Sequence, residues 1–281
     1  MLLWGRKPFI ALRVFGTEGQ YPSFEIRSAR HVFVPSESLV WAAVIQPVLP
    51  DDWDLGEVVS LVPEEVRLLS AIALCERDPW ERPRTTITHL ANSYMTLGAG
   101  DLNLTAPAIF EHVADKARSI APNNLQYRVR PLGSRDDALA LLERIDVTDQ
   151  LLLAGLARLL GAGRLIAAHN EREEAAISLY VSMGAALEFI RLHLSVNAET
   201  DISFGEVHAY LRRALPNGNR LAEYFAEQYE ERIIATHPSN RFGEFWAPPL
   251  MADDVYDLQK SLIVLFRHIL LDENGGGGHA N

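Results

Sequence analysis

From Val147 to Leu271 apolar residues recur at three- and four-residue spacing, and nothing in that stretch alternates as a strand would. That pattern constrains the fold more than any other feature of the chain. Glu171 to Leu194 carries it most clearly: acids lie in the first turn, Ala176, Leu179, Tyr180, Met183, Leu187, Ile190 and Leu194 form the apolar face, and Arg191 and His193 stand near the end. Acids at the start and cations at the end complement the helix dipole, and the apolar spacing gives one buried stripe. Before it, Val147-Thr148-Asp149 opens a helix running to Ile166. After it, Ser203 and Glu206 form a capping box for a helix to Leu215, closed by Pro216-Asn-Gly218. Arg220 to about Thr236 and Asp253 to Leu271 predict two further helices. Consecutive helices with short connections predict an antiparallel helical bundle.

Residues 1–146 read differently. Phe9–Phe15 and Phe24–Val34 are rich in aromatic and β-branched residues, and the Gly16 to Pro22 segment between them carries turn chemistry, which predicts a hairpin. Leu39–Leu49 predicts a third strand whose end Pro47 makes irregular or places at an edge. Pro63-Glu64-Glu65 starts a helix, with Val66, Leu69, Ile72 and Ala73 on one face. Ile87–Leu97 is read as helical and ended by Gly98-Ala-Gly100; Pro107–Ile120 as a helix; Leu125–Arg130 as a short strand; and Ser134 as the N-cap of a helix to Ile145. The expectation is a mainly α protein: an α+β region of unassigned type over 1–146, a helical bundle over 147–271, and a flexible, glycine-rich tail over 272–281.

Composition narrows the function classes. The 281 residues carry a formal net charge of −11, which argues against non-specific coating of nucleic acid or acidic membrane. The single cysteine, Cys75, cannot form an internal disulfide and sits in the apolar run Ala71–Cys75, as a small core residue would. No run approaches the roughly 18 apolar residues of a membrane span, and Arg6, Lys7 and Arg13 break the N-terminal apolar stretch, so no membrane partner and a cytoplasmic location are expected. His169, His193, His208, His237 and His268 lack metal-ligand spacing, and no phosphate loop, nucleophile triad or zinc-protease motif occurs, so no metal and no cofactor are expected. Leu160-Gly161-Ala-Gly163 lacks the third glycine of a dinucleotide loop and follows no strand; it reads as a break or a close contact between helices.

One stretch carries candidate chemistry. In Tyr229-x-x-Arg232-x4-His237-Pro238, Tyr229 and Arg232 fall on one helical face. Residues five apart on a continuous helix diverge by about 140°, so Arg232 and His237 would not meet on one. Pro238 pushes the residue before it out of the α region, which ends the helix at or before His237 and frees the imidazole to turn back toward Arg232.

Late in a helical bundle, and after a helix of the Ala186-Leu187-Glu188-Phe189 type, this motif resembles the HEPN superfamily, whose signature is an arginine followed four to six residues later by a histidine. The likeness covers roughly residues 147–271. Two positions depart from the usual pattern: Ile233 stands where a polar residue commonly follows the arginine, and Pro238 where a glycine often follows the histidine. The resemblance implies a homodimer and a metal-independent endoribonuclease or RNA-binding protein of a defence or toxin–antitoxin system, with an antitoxin or other protein partner. It implies Arg232 and His237 as catalytic residues with Tyr229 beside them. The competing expectation is a non-catalytic dimerisation or interaction module whose N-terminal region provides recognition. Arg212, Arg213, Arg220 and Arg241 flank the motif as candidate phosphate contacts, and Phe242, Phe245 and Trp246 as candidate base-stacking residues.

Overall fold

The computed structural model describes residues 9–15, 20–35, 40–46, 61–75, 89–96, 108, 111, 128–130, 133–166, 171–195, 202–215, 218–236 and 252–271. Helices hold most of these residues, and a smaller set of strands lies wholly in the N-terminal half. The chain divides into two compact units, Met1–Glu143 and Arg144–Asn281.

The first unit contains a sheet of five strands, β1 (Phe9–Phe15), β3 (Ile26–Arg27), β4 (His31–Pro35), β5 (Val40–Gln46) and β6 (His89–Thr96), in the order β3-β4-β5-β1-β6. A separate pair joins β2 (Gln20–Pro22) to β7 (Arg128–Arg130) in parallel. The hairpin expected between the first two strand-forming runs does not form. β1 pairs instead with β5 and β6, both antiparallel, while the second run folds on itself as the tight β3–β4 hairpin. A loop of two residues, Ala29-Arg30, closes that hairpin, with the Ser28 N–H donating to the His31 carbonyl at 2.8 Å.

β5 is the middle strand of the sheet rather than an edge. Its last paired residue is Gln46, opposite Phe9, so the ladder is complete before Pro47, which lies outside the described residues. Val40 to Val44 are all buried, which matches the near-continuous apolar run of a strand covered on both faces.

His89–Thr96, read from the sequence as part of a helix, is strand β6. Alanine, leucine and methionine favour a helix locally, but seven antiparallel pairs with β1, from Phe9↔Thr96 to Phe15↔His89, override that preference. Of the helix expected over 107–120, only Ala108 and Glu111 are described, both helical.

α1 (Pro63–Leu74) packs on β5 and is buried all round except at Arg67. Pro63 takes its first position, where a missing N–H costs nothing. Its C-terminal end is approached closely by Gly133, whose φ of 69° lies in the left-handed region. A Cβ there would stand 2.5 Å from Cys75 Sγ, so no other residue fits. α2 (Arg135–Arg144) follows from Ser134, whose Oγ accepts from the Asp137 N–H at 3.5 Å.

Among the described residues the second unit holds α3 (Gln150–Arg164), α4 (Arg172–Ser195), α5 (Phe204–Ala214), α6 (Gly218–Thr236) and α7 (Ala252–Leu271). Local signals start the helices where the sequence places them. Asp149 accepts the Leu152 N–H at 2.9 Å, and Ser203 and Glu206 complete a reciprocal capping box.

α4 is the central element, packed against α3, α5, α6 and α7. Gly155 lets α3 come close: a Cβ there would lie 2.9 Å from the Phe266 ring of α7 and 3.0 Å from Ala185 of α4. The buried Gly155 carbonyl accepts from Ser182 Oγ at 2.8 Å, so that buried hydroxyl is satisfied. Gly163 similarly admits the Gln259 side chain of α7, whereas a Cβ at Gly161 would meet open space, so the close contact belongs to Gly163 and not to Gly161. By length and apolar content α4 is sufficient to cross a membrane, which the sequence count had missed, yet more than half of its most apolar window is buried within the unit.

Candidate functional site

The motif expected to carry chemistry lies at the C-terminal end of α6. That helix runs unbroken to Thr236, so Tyr229 and Arg232, three residues apart, occupy one face of its last two turns. Tyr229 is half-buried and stacks on Phe204, the first residue of α5, with ring centroids 4.2 Å apart and planes inclined by 29°. Phe204 also meets His208 of its own helix at 4.4 Å. Tyr229 is thus held from one side by an aromatic ring, and its face of α6 looks toward the N-terminal turn of α5. Arg232 is described as a helical residue. His237, Pro238, Arg241, Phe242, Phe245 and Trp246 lie outside the described residues. Arg212, Arg213 and Arg220 are exposed.

His208 sits beside this cluster. Burial pushes its imidazole below the usual range, and the nearby Arg212 charge pushes the same way. Its Nε2 is buried without a hydrogen-bond partner. The neutral ring therefore suits its surroundings, which are aromatic on one side and cationic on the other. Among the described residues no group of three or more histidine, cysteine, aspartate or glutamate side chains is arranged to hold a metal ion.

The first unit contains a polar cluster that the sequence reading did not find. Glu64, in the first turn of α1, is fully buried, and its Oε2 lies 2.7 Å from Nε2 of His31, itself only 4% exposed. Arg30 Nη1 reaches Glu64 Oε1 at 3.3 Å, and Arg67 Nη1 lies 3.7 Å from Oε2. The Glu64 N–H donates to Gln46 Oε1 at 3.1 Å, and the neighbouring Glu65 accepts the Val62 N–H at 2.9 Å. Two orphan donors of the helix start are met in this way. Burial pushes the Glu64 carboxyl up, but the hydrogen bond and charge of His31, with Arg67 and Arg30, outweigh it and hold the group below the ordinary carboxylate range.

On the far side of the imidazole, Nδ1 lies 3.1 Å from Ser28 Oγ. Serine, histidine and buried carboxylate in that order have the connectivity of a nucleophile, a base and its orienting acid. The hydroxyl decides against that role. Ser28 Oγ already accepts the N–H of His31 at 3.1 Å and of Arg30 at 3.4 Å, so both lone pairs are committed to bracing the turn. The cluster instead ties the β3–β4 turn to the buried start of α1. Arg30 is anchored independently, since its carbonyl accepts the Ile45 N–H of β5 at 2.9 Å.

Two classes of site emerge: an aromatic-backed helix end carrying Tyr229 and Arg232, and a buried ionic cluster at a hairpin turn. Compared with protein-family models, curated proteins and solved structures, the chain matches none of them.

Proposed function

We propose that the chain is a HEPN-like protein whose C-terminal helices form an antiparallel bundle acting on RNA as a metal-independent endoribonuclease, working in the cytoplasm as a homodimer. The observation that carries this reading is the unbroken course of α6 to Thr236, which puts Tyr229 and Arg232 on one face directly before His237.

The residue types suit the reaction. A neutral histidine titrates near physiological pH and can take the proton of a ribose 2′-hydroxyl, whose oxygen then attacks the adjacent phosphorus. The 5′-oxygen departs with a proton, leaving a 2′,3′-cyclic phosphate. Arginine's fixed fork of donors holds the phosphate and offsets the charge that gathers on it in the transition state. Tyr229, stacked on Phe204, is the third residue that this reading assigns to the site. No metal or cofactor enters this scheme, and a defence or toxin–antitoxin role with a neutralising protein partner fits such an activity.

A second reading is favoured by the same stack, because a tyrosine occupied by Phe204 also serves simple packing between α5 and α6. In that case the bundle dimerises or docks a partner, and the N-terminal unit provides recognition. RNA cleavage in EDTA separates the two. The enzyme reading expects 2′,3′-cyclic phosphate ends from the wild type and their loss in Arg232→Ala and in His237→Ala, each by about 100-fold or more. Tyr229→Phe preserves the stack and tests the hydroxyl alone. A folded wild type that cuts no RNA among structured and single-stranded substrates overturns the enzyme reading.

A further inference from the structure

We propose that His31 is the proton-reading element of a latch between the β3–β4 turn and the buried start of α1, and that protonating it loosens the exposed Arg30 arm. The neutral arrangement follows by elimination. An ionised Glu64 only accepts, so the proton of a neutral imidazole belongs on Nε2, 2.7 Å away. Ser28 Oγ spends its lone pairs on the N–H groups of Arg30 and His31, so its hydrogen points at Nδ1, 3.1 Å away. Every donor and acceptor around the ring is then used.

A second proton on the ring breaks that pattern on one side only. Nδ1 becomes a donor, the Ser28 hydroxyl must rotate, and three donors compete for one oxygen. The longest of them, the Arg30 N–H at 3.4 Å, is the weakest competitor. On the other side the imidazolium strengthens the bond to Glu64, whose carboxylate it now shares with two guanidinium groups. Arg67 is only 20% exposed, whereas the Arg30 side chain is 53% exposed and can exchange its 3.3 Å contact for water. Among the described residues, the other charged groups of the neighbouring elements are engaged elsewhere. Glu65 of α1 accepts from Val62, β5 presents the neutral Gln46, and Arg27 of β3 pairs with Glu25 and Glu111.

The test is a pH titration from 8 to 5 of the full chain by nitrogen-15 NMR, following the His31 ring, the turn amides and the Arg30 side-chain N–H. The latch expects the Nε2–H tautomer at high pH, Ser28, Arg30 and His31 amides that shift with the ring's own midpoint, and faster Arg30 side-chain exchange below it. Ser28→Ala removes the hydroxyl that joins Nδ1 to the turn, so in that variant the Arg30 amide no longer follows the ring. An Nδ1–H tautomer at pH 8, wild-type turn amides that ignore the ring, or a Ser28→Ala variant whose Arg30 amide still follows it each overturn the proposal.

Discussion

Replacing Glu64 by glutamine removes one negative charge from the start of α1 while leaving the volume almost unchanged. The amide oxygen still accepts from His31 Nε2, so the geometry survives and the change reads charge. Two losses add. A hydrogen bond to a charged group is worth about 1.5–3 kcal/mol against about 0.5–1.5 for a neutral one, so roughly 1 kcal/mol goes there. The new amide N–H2 then points into a site built from Arg30 and Arg67 donors, leaving a buried donor unsatisfied at about 1–3 kcal/mol. A destabilisation of roughly 2–4 kcal/mol is expected, which at a slope near 2 kcal/mol/M moves the urea midpoint down by about 1–2 M. Trp41, buried on β5, is one of four tryptophans in the first unit, so fluorescence follows that unit's unfolding. The pH dependence gives a second check. Glu64 is held below its ordinary value in the folded state, so its contribution is complete above the ordinary carboxylate range, about pH 4, and is lost as pH falls through the lower folded value. The gap between wild type and variant should therefore be full at pH 7 and close in acid. An unchanged midpoint at pH 7, or a gap that persists undiminished at pH 2, refutes the view that Glu64 acts as a buried, paired charge.

Gly155→Ala should destabilise the second unit by about 1–3 kcal/mol although alanine favours helices, because the added Cβ meets the Phe266 ring at 2.9 Å; thermal melts should show the drop, and Phe266→Leu should relieve part of it. His208 is held below the ordinary imidazole range, so its contribution is present above about pH 6.5 and lost as pH falls through the lower folded value. Arg212→Ala should raise its NMR titration midpoint; a fall would show that Arg212 does not act on it.

How far the sequence revealed this depends on how far apart the cooperating residues are. Asp149, Ser203 and Glu206 announce helix starts because each satisfies donors within three positions, and each does so in the structure. The described helices of the second unit are legible because their apolar spacing is also local. The sheet was not. β1 finds its partners in β5 and β6, both distant in the chain, and the turn residues beside it gave a false hairpin. His89–Thr96 carries no strand alternation strong enough to oppose its helical composition until β1 supplies the ladder. The His31–Glu64 pair spans 33 positions, and Glu64 looked like an ordinary acid placed for the helix dipole. Nothing local distinguishes a solvated first-turn glutamate from one enclosed with a histidine. At the other site, spacing alone relates Tyr229 to Arg232, while the partner that holds Tyr229, Phe204, belongs to the preceding helix and left no mark in the motif.

The apolar character of α4 has a consequence for how the second unit is made. A ribosome delivers α3 and α4 before α7, yet α7 provides part of the surface that covers α4, with Phe266 closing against Gly155 beside Ala185. During that interval a segment greasy enough for a bilayer waits half-wrapped, paired only with α3, α5 and α6. Cells meet such intermediates with chaperones, and chains cut short before Ala252 should collect in aggregates rather than as smaller folded bundles. A helix made later than α4 is thus the one that completes its cover.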